Sequence, residues 1–182
     1  MTTDRRFCRF NKSPDTASFS MTEIPPDGLC LSSFVLLTST TRPTAVLMGR
    51  MDPKAPWDHL GALDAKRVEA HRHAWMLPSS HLIFRESPRE AAERIVREQL
   101  TLPALPLEGP QVVSDVYAPR RFPNHGAHWD LEFLFRGSLE ESRLPTSPAW
   151  SALEFVDTRK VRREEIARSH EDVLASAGLP MV

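Results

Sequence analysis

Residues 75–102 read WMLPSSHLIFRESPREAAERIVREQLTL, and this stretch decides the fold of the chain. Ser87 can cap a helix, Pro88 suits the first helical position, and Glu90 completes a capping box three residues after the serine. Apolar residues then recur at helical spacing on one face, namely Ala92, Val96 and Leu100. The pattern predicts a helix over residues 87–100.

The sequence on both sides of this helix is typical of β-strands. Apolar and β-branched runs bounded by turn-forming residues predict strands at 29–40, 44–51, 112–118, 129–135 and 153–157. The turn predicted at 41–43 makes the first two strands a hairpin. Two further helices are predicted, at 64–71 and 162–177. This order of elements indicates an α/β or α+β fold with mixed strand pairing.

The composition of the whole chain excludes several classes of protein. Its 182 residues fit one domain, and with 41% hydrophobic and 26% charged residues the chain can form a packed core. A net charge of -1 argues against a protein that coats nucleic acid or an anionic membrane. The chain has two cysteines, no recognisable signal peptide and no apolar run near the roughly 18 residues that span a bilayer. These features predict a cytoplasmic protein.

The first 28 residues differ in character from the rest of the chain. They are polar, mixed in charge and end in a proline-rich stretch at 24–28, so they are predicted to form a disordered N-terminal arm. Residues 29–182 are predicted to form a single domain.

The charged residues between 77 and 102 resemble a Nudix box. The signature of that family is Gly, five residues, Glu, seven residues, then Arg-Glu-aliphatic-x-Glu-Glu-x-Gly-aliphatic. Glu86 is followed after seven residues by Arg94, and further places are filled by Val96, Glu98 and Leu102. The segment WMLP at 75–78 is similar to the lead-in found in the family. The resemblance to the Nudix hydrolase superfamily implies an α/β/α sandwich around a mixed sheet over residues 29–182.

The resemblance is incomplete, so the box is degenerate. Ser79 and Ser80 stand where the family has two glycines, and Thr101 replaces the late glycine. Ile95 replaces the glutamate after the arginine, and Gln99 replaces the second paired glutamate.

These replacements weaken the expected metal site. Cleavage of a diphosphate requires hard divalent cations, and positions 95, 98 and 99 share one helix face on which three glutamates would form an acidic ledge. This chain offers Ile95, Glu98 and Gln99, which carry one formal charge together. The loss of two anionic ligands is expected to weaken magnesium binding by several kcal/mol, an order-of-magnitude figure from Coulomb's law. The resemblance therefore implies Mg²⁺ or Mn²⁺ if the protein is active, and otherwise no cofactor.

The resemblance also assigns candidate roles. Glu98 is the candidate catalytic residue, and the candidate metal ligands are Glu98, Gln99 and Glu132 together with backbone oxygens near Ser79 and Ser80. The candidates for binding an anionic substrate are Ser79, Ser80, Arg50, Arg120 and Arg121. Glu86 and Arg94 are expected to brace the loop of the box.

Two hypotheses of function follow. In the first, the chain is a Nudix hydrolase for nucleoside diphosphate-linked substrates whose ordinary Mg²⁺-dependent pyrophosphohydrolase activity is absent or low. In the second, it is a non-catalytic binding module for a nucleotide, RNA or a protein partner. The selective loss of metal ligands favours the second, and the frequency of hydrolases in the family favours the first, which we prefer. A homodimer is compatible with either hypothesis.

Overall fold

A computed structural model describes residues 9–10, 29–117 and 128–182, with side chains from 29 to 114 and from 129 to 182. The strands in these ranges are β1 (Arg9–Phe10), β2 (Leu29–Ser39), β3 (Ala45–Met51), β4 (Ser79–His81), β5 (Glu108–Tyr117), β6 (His128–Leu139) and β7 (Trp150–Asp157). The α-helices are α1 (Trp57–Gly61), α2 (Ala65–His71), α3 (Pro88–Glu98) and α4 (His170–Ser176). Short 3-10 turns occupy Glu141–Arg143, Thr158–Lys160 and Arg163–Glu165. No helix in the described ranges is both long and apolar enough to cross a membrane.

The strands form one mixed sheet in the order β5-β6-β2-β3-β7. The central pair, β2 and β6, is parallel, and the other neighbours along this path are antiparallel. The first half of β2 also pairs with β1 and β4, both antiparallel. The mixed α+β fold class expected from the sequence is therefore confirmed.

Alternate residues of β2 face opposite sides of the sheet, because side chains in a strand alternate between its faces. Val35 and Leu37 pack in the same buried cluster as three apolar residues of α3, namely Ala92, Ile95 and Val96. Phe34 and Leu36 belong to a second cluster on the other face, which includes Val173 and Leu174 of α4. The sheet thus lies between α3 and α4, which confirms the predicted sandwich.

Helix α3 begins as the sequence predicts. The Ser87 side chain accepts a hydrogen bond from the Glu90 backbone N–H, and the Glu90 carboxylate accepts one from the Ser87 N–H at 2.8 Å. The helix ends at Glu98, about one turn after Arg94, with Gln99 as its C-cap. Thr101 then takes a φ of 54°. Threonine therefore adopts here a left-handed conformation that glycine enters at lower cost, in the place where the Nudix signature has glycine.

The predicted C-terminal helix over 162–177 is wrong in its first half. α-Helical structure in this range is confined to α4, because Arg168 and Ser169 adopt positive φ angles of 58° and 60°. Upstream of them, Ile166 pairs with Trp75 as an isolated bridge. The charged segment before Arg168 therefore pairs with the lead-in to the box, and the chain turns at Arg168 and Ser169 before α4 begins.

Candidate functional site

The loop of the box is held by an ion pair between Arg94 and Glu86. The Arg94 Nε lies 2.7 Å from one carboxylate oxygen of Glu86, and its Nη2 lies 2.8 Å from the other. The two side chains are only 5% and 12% exposed, so water screens the pair weakly. Glu86 also accepts a hydrogen bond from the Ile83 backbone N–H at 2.8 Å. The bidentate geometry fixes the orientation of both groups.

The same guanidinium group connects α3 to β4. Its Nη1 donates to Ser80 Oγ at 3.2 Å, and its Nη2 donates to the His81 carbonyl at 3.0 Å. Ser80 is 2% exposed and donates its own hydroxyl to the His81 carbonyl. Ser80 therefore lies inside the brace of Arg94, and its hydroxyl does not face a surface where a phosphate could approach.

The three positions of the expected acidic ledge have separate environments. Ile95 is fully buried and belongs to the core cluster between α3 and the sheet. The side chain of Glu98 is 25% exposed, and one of its oxygens lies 3.5 Å from Arg97 Nη2. Position 95 consequently serves packing, while position 98 holds a carboxylate near the surface.

Gln99 is buried, and its side-chain amide is bound to backbone groups. The Nε2 donates to the Ser79 carbonyl at 2.7 Å and to the Leu60 carbonyl at 3.0 Å. The Oε1 accepts from the Ser79 N–H at 3.2 Å. The main-chain carbonyl of Gln99 also accepts hydrogen bonds from Ser147 Oγ at 2.6 Å and Trp150 Nε1 at 2.8 Å. The structure therefore places Gln99 as a structural link between α3, α1 and β4.

These residues do not fit a divalent cation. The Ser79 carbonyl, expected to join the metal site, accepts the amide hydrogen of Gln99 instead. Within the described ranges, no group of three or more His, Cys, Asp or Glu residues is arranged to hold a metal ion. The Ser79 hydroxyl is buried without a hydrogen-bond partner among the described residues, and it lies on the face of Phe34, which packs toward α4.

Glu132 lies on the face of the sheet that is opposite α3. It stands beside Ser32 in the β2–β6 register and two residues before Leu134, which packs in the α4-side cluster. Ser32 Oγ in turn lies 2.9 Å from His81 Nδ1 across the β2–β4 pair. Since Glu98 lies on α3, the structure does not bring Glu98 and Glu132 to one face of the sheet.

Of the arginines expected to bind an anionic substrate, Arg50 is the one that the structure describes, and it contacts the lead-in to the box. Arg50 lies on β3, and its guanidinium carbon is 4.3 Å from the centre of the Trp75 ring. Its Nε is buried without a hydrogen-bond partner in the described part of the chain. Arg120 and Arg121 lie outside the described residues.

The comparisons with known proteins agree with this architecture. No protein-family profile matches the chain, and no curated protein matches it significantly. Among solved structures, the MutT NUDIX hydrolase from Burkholderia pseudomallei matches 81% of this chain and 96% of its own, with a TM-score of 0.51 and 14% sequence identity. The chain has the Nudix fold. The dihydroneopterin triphosphate pyrophosphohydrolase of E. coli, at a TM-score of 0.49 and 18% identity, covers 70% of this chain and 80% of its own.

The lead-in to the box of this Nudix-fold chain is held by residues that the sequence did not single out. The Trp75 N–H donates to the Glu165 carbonyl, and the Leu77 N–H donates to His170 Nδ1 at 3.0 Å. Burial lowers the pKa of His170 well below its usual value, and the nearby charges of Arg168 and His71 add to this effect. In a neutral His170 that carries its proton on Nε2, Nδ1 accepts the Leu77 hydrogen.

The other residue that sequence reasoning missed is Leu60. Its carbonyl accepts a hydrogen bond from the Gln99 amide, and it belongs to α1, a helix of five residues that follows Pro56 and ends at Gly61. No local pattern predicts a helix so short. The capping box of α3 and the spacing of Glu86 and Arg94 were the signals that the sequence did carry.

Proposed function

We propose that this chain is a Nudix hydrolase family protein for nucleoside diphosphate-linked compounds in which Mg²⁺-dependent pyrophosphohydrolase activity is absent or low. One observation carries the proposal. Of the three box positions where the resemblance places metal-binding glutamates, Glu98 alone offers a carboxylate, and Ile95 lies in the core. The ligand class follows from the resemblance of the box.

The electrostatics of the box support a weak cation site. A carboxylate about 4 Å from a unit charge is worth roughly 4 kcal/mol at an effective dielectric constant of about 20, so each missing glutamate removes a large part of the attraction. Arg97 lies 3.5 Å from the remaining carboxylate of Glu98 and offsets its charge. Magnesium gives up its bound water reluctantly and needs strong oxygen ligands. We therefore expect these residues to replace its water ligands poorly.

The test is phosphate release from nucleotide sugars, dinucleoside polyphosphates, ADP-ribose and nucleoside triphosphates with Mg²⁺ or Mn²⁺. We expect no metal-dependent release above that of Glu98→Ala, with Glu93→Ala as the matched control because Glu93 is an exposed glutamate on the same helix. Metal-dependent turnover that disappears in Glu98→Ala and persists in Glu93→Ala would contradict the proposal. Saturable binding of one of these nucleotides without release would support the binding-module hypothesis.

A further inference from the structure

The Gln99 side-chain amide donates hydrogen bonds to two backbone carbonyl groups. The Ser79 and Leu60 carbonyl oxygens converge on Gln99 Nε2, and the Ser79 N–H points at Oε1. A glutamine side chain provides two donor hydrogens and an acceptor oxygen within one planar group. Gln99 is 1% exposed, so water does not replace these bonds. An unpaired buried carbonyl is costly, which makes the match of donors and acceptors important for stability.

A glutamate at the same position would reverse the electrostatics. One carboxylate oxygen could still accept the Ser79 N–H, but the oxygen in place of Nε2 donates no hydrogen bond and would face the Ser79 and Leu60 carbonyl oxygens without a hydrogen between them. A carboxylate in this position is stabilised either by taking up a proton or by a cation that binds between it and the carbonyl oxygens. Oxygen ligands from one carboxylate and two carbonyls are of the kind that Mg²⁺, Mn²⁺ and Ca²⁺ accept.

We propose that the Gln99 amide occupies the place of a divalent cation, so that the box is held to α1 and β4 without metal. The two N–H groups of the amide place partial positive charge against the Ser79 and Leu60 carbonyl oxygens, where a cation would otherwise place its charge. This inference rests on the proposed loss of the metal face. It concerns stability, whereas the proposed function concerns turnover, so the two can fail independently.

The experiment compares the melting temperature of the full chain with that of Gln99→Glu, in EDTA and in millimolar Mn²⁺. Gln111→Glu is the matched control, because Gln111 is an exposed glutamine on β5 that lies beside Arg136. At about pH 7.5 in EDTA we expect Gln99→Glu to melt about 5–10 °C lower than the wild type and Gln111→Glu to melt within about 2 °C of it. Mn²⁺ is expected to recover part of the loss in Gln99→Glu and to leave the other two proteins unchanged.

A pH series separates charge from altered packing. Burial against two carbonyls raises the pKa of a carboxyl group in the folded state, so stability is lost as pH rises through that value. The deficit of Gln99→Glu relative to the wild type should therefore shrink toward about pH 5. The inference is overturned if Gln99→Glu is as stable as the wild type at neutral pH or if its deficit is the same at both pH values. It is also overturned if Mn²⁺ leaves the deficit unchanged or stabilises the wild type.

Discussion

The two halves of the box are held by different kinds of interaction. In the first half, Glu86 and Arg94 form a partly buried bidentate ion pair, and Arg94 also donates hydrogen bonds to Ser80 and His81. In the second half, position 95 is apolar and packed, and position 99 carries a neutral amide bound to backbone groups. The first half keeps the charged pair of the Nudix signature, whereas two of the three glutamate places in the second half hold Ile95 and Gln99.

From this difference we infer that the residues that hold the shape of the box are separate from those at its expected metal-ligand positions. The ion pair of Glu86 and Arg94 fixes the loop between β4 and α3, and its hydrogen bonds do not require a metal ion. The ligand positions belong to the C-terminal end of α3, where Ile95 joins the core and Gln99 joins α1. The proposed function therefore implies that the box keeps its geometry without a metal ion, because Ile95 is held by packing and Gln99 by hydrogen bonds to the backbone.

Ile95→Glu tests the second half of the box, which contains the expected metal-ligand positions. It has the largest expected effect on the free energy of unfolding. Ile95 is fully buried among apolar residues, so a carboxylate there loses its hydration. We expect a loss of more than about 5 kcal/mol in the free energy of unfolding. Urea denaturation measures this loss, with Ile95→Val as the control at a cost of about 1 kcal/mol. The variant I95E/Q99E, which restores both glutamates, should likewise lose stability without gaining turnover. A stable Ile95→Glu protein would show that position 95 can face solvent.

Arg94→Leu tests the brace half. Removal of the guanidinium group leaves the largely buried Glu86 carboxylate with the Ile83 N–H as its remaining hydrogen-bond donor, so we expect a loss of about 2–4 kcal/mol in the free energy of unfolding. The double variant Glu86→Leu/Arg94→Leu should recover part of that loss, since no unpaired charge remains. Urea denaturation of the wild type, Glu86→Leu, Arg94→Leu and the double variant completes the double-mutant cycle. A loss below about 1 kcal/mol in Arg94→Leu would mean that the brace does not hold the loop.

His170→Phe tests the support of the lead-in and has the smallest expected effect. Burial lowers the pKa of His170 in the folded state, so the unfolded chain binds the extra proton as pH falls below about 6.5. Stability that is present above that pH is lost below it, by about 1–2 kcal/mol at pH 5. The phenylalanine variant should lack this part of the pH dependence. The check is the unfolding free energy of both proteins at about pH 7.5 and 5. Parallel pH profiles would contradict a buried neutral His170.

The sequence predicts the parts of the molecule that depend on local pattern. The capping box begins α3 where Ser87 and Pro88 indicate, and the fold class follows from the order of elements. The partners of Gln99 could not be predicted, because Leu60 is 39 residues away in the chain and lies in a helix of five residues. The face on which Glu132 lies depends on the register of β6 against β2, which the alternation within one strand does not fix.

The failure of the predicted terminal helix has a related cause. Its charge pattern suits a helix, but the backbone around Glu165 and Ala167 pairs with Trp75 instead. Positive φ angles at Arg168 and Ser169 then turn the chain into α4. A tertiary contact thus overrides a local preference, and it does so at the lead-in to the box.

The most direct test of the central claim is a calorimetric titration of Mn²⁺ into the natural protein, with and without ADP-ribose. A box that keeps its brace but has lost its metal ligands should show no saturable site in the millimolar range, and Glu98→Ala should give the same titration. Saturable binding that requires Glu98 would contradict the account, because the single carboxylate would then form a cation site that the arrangement of Ile95 and Gln99 does not support.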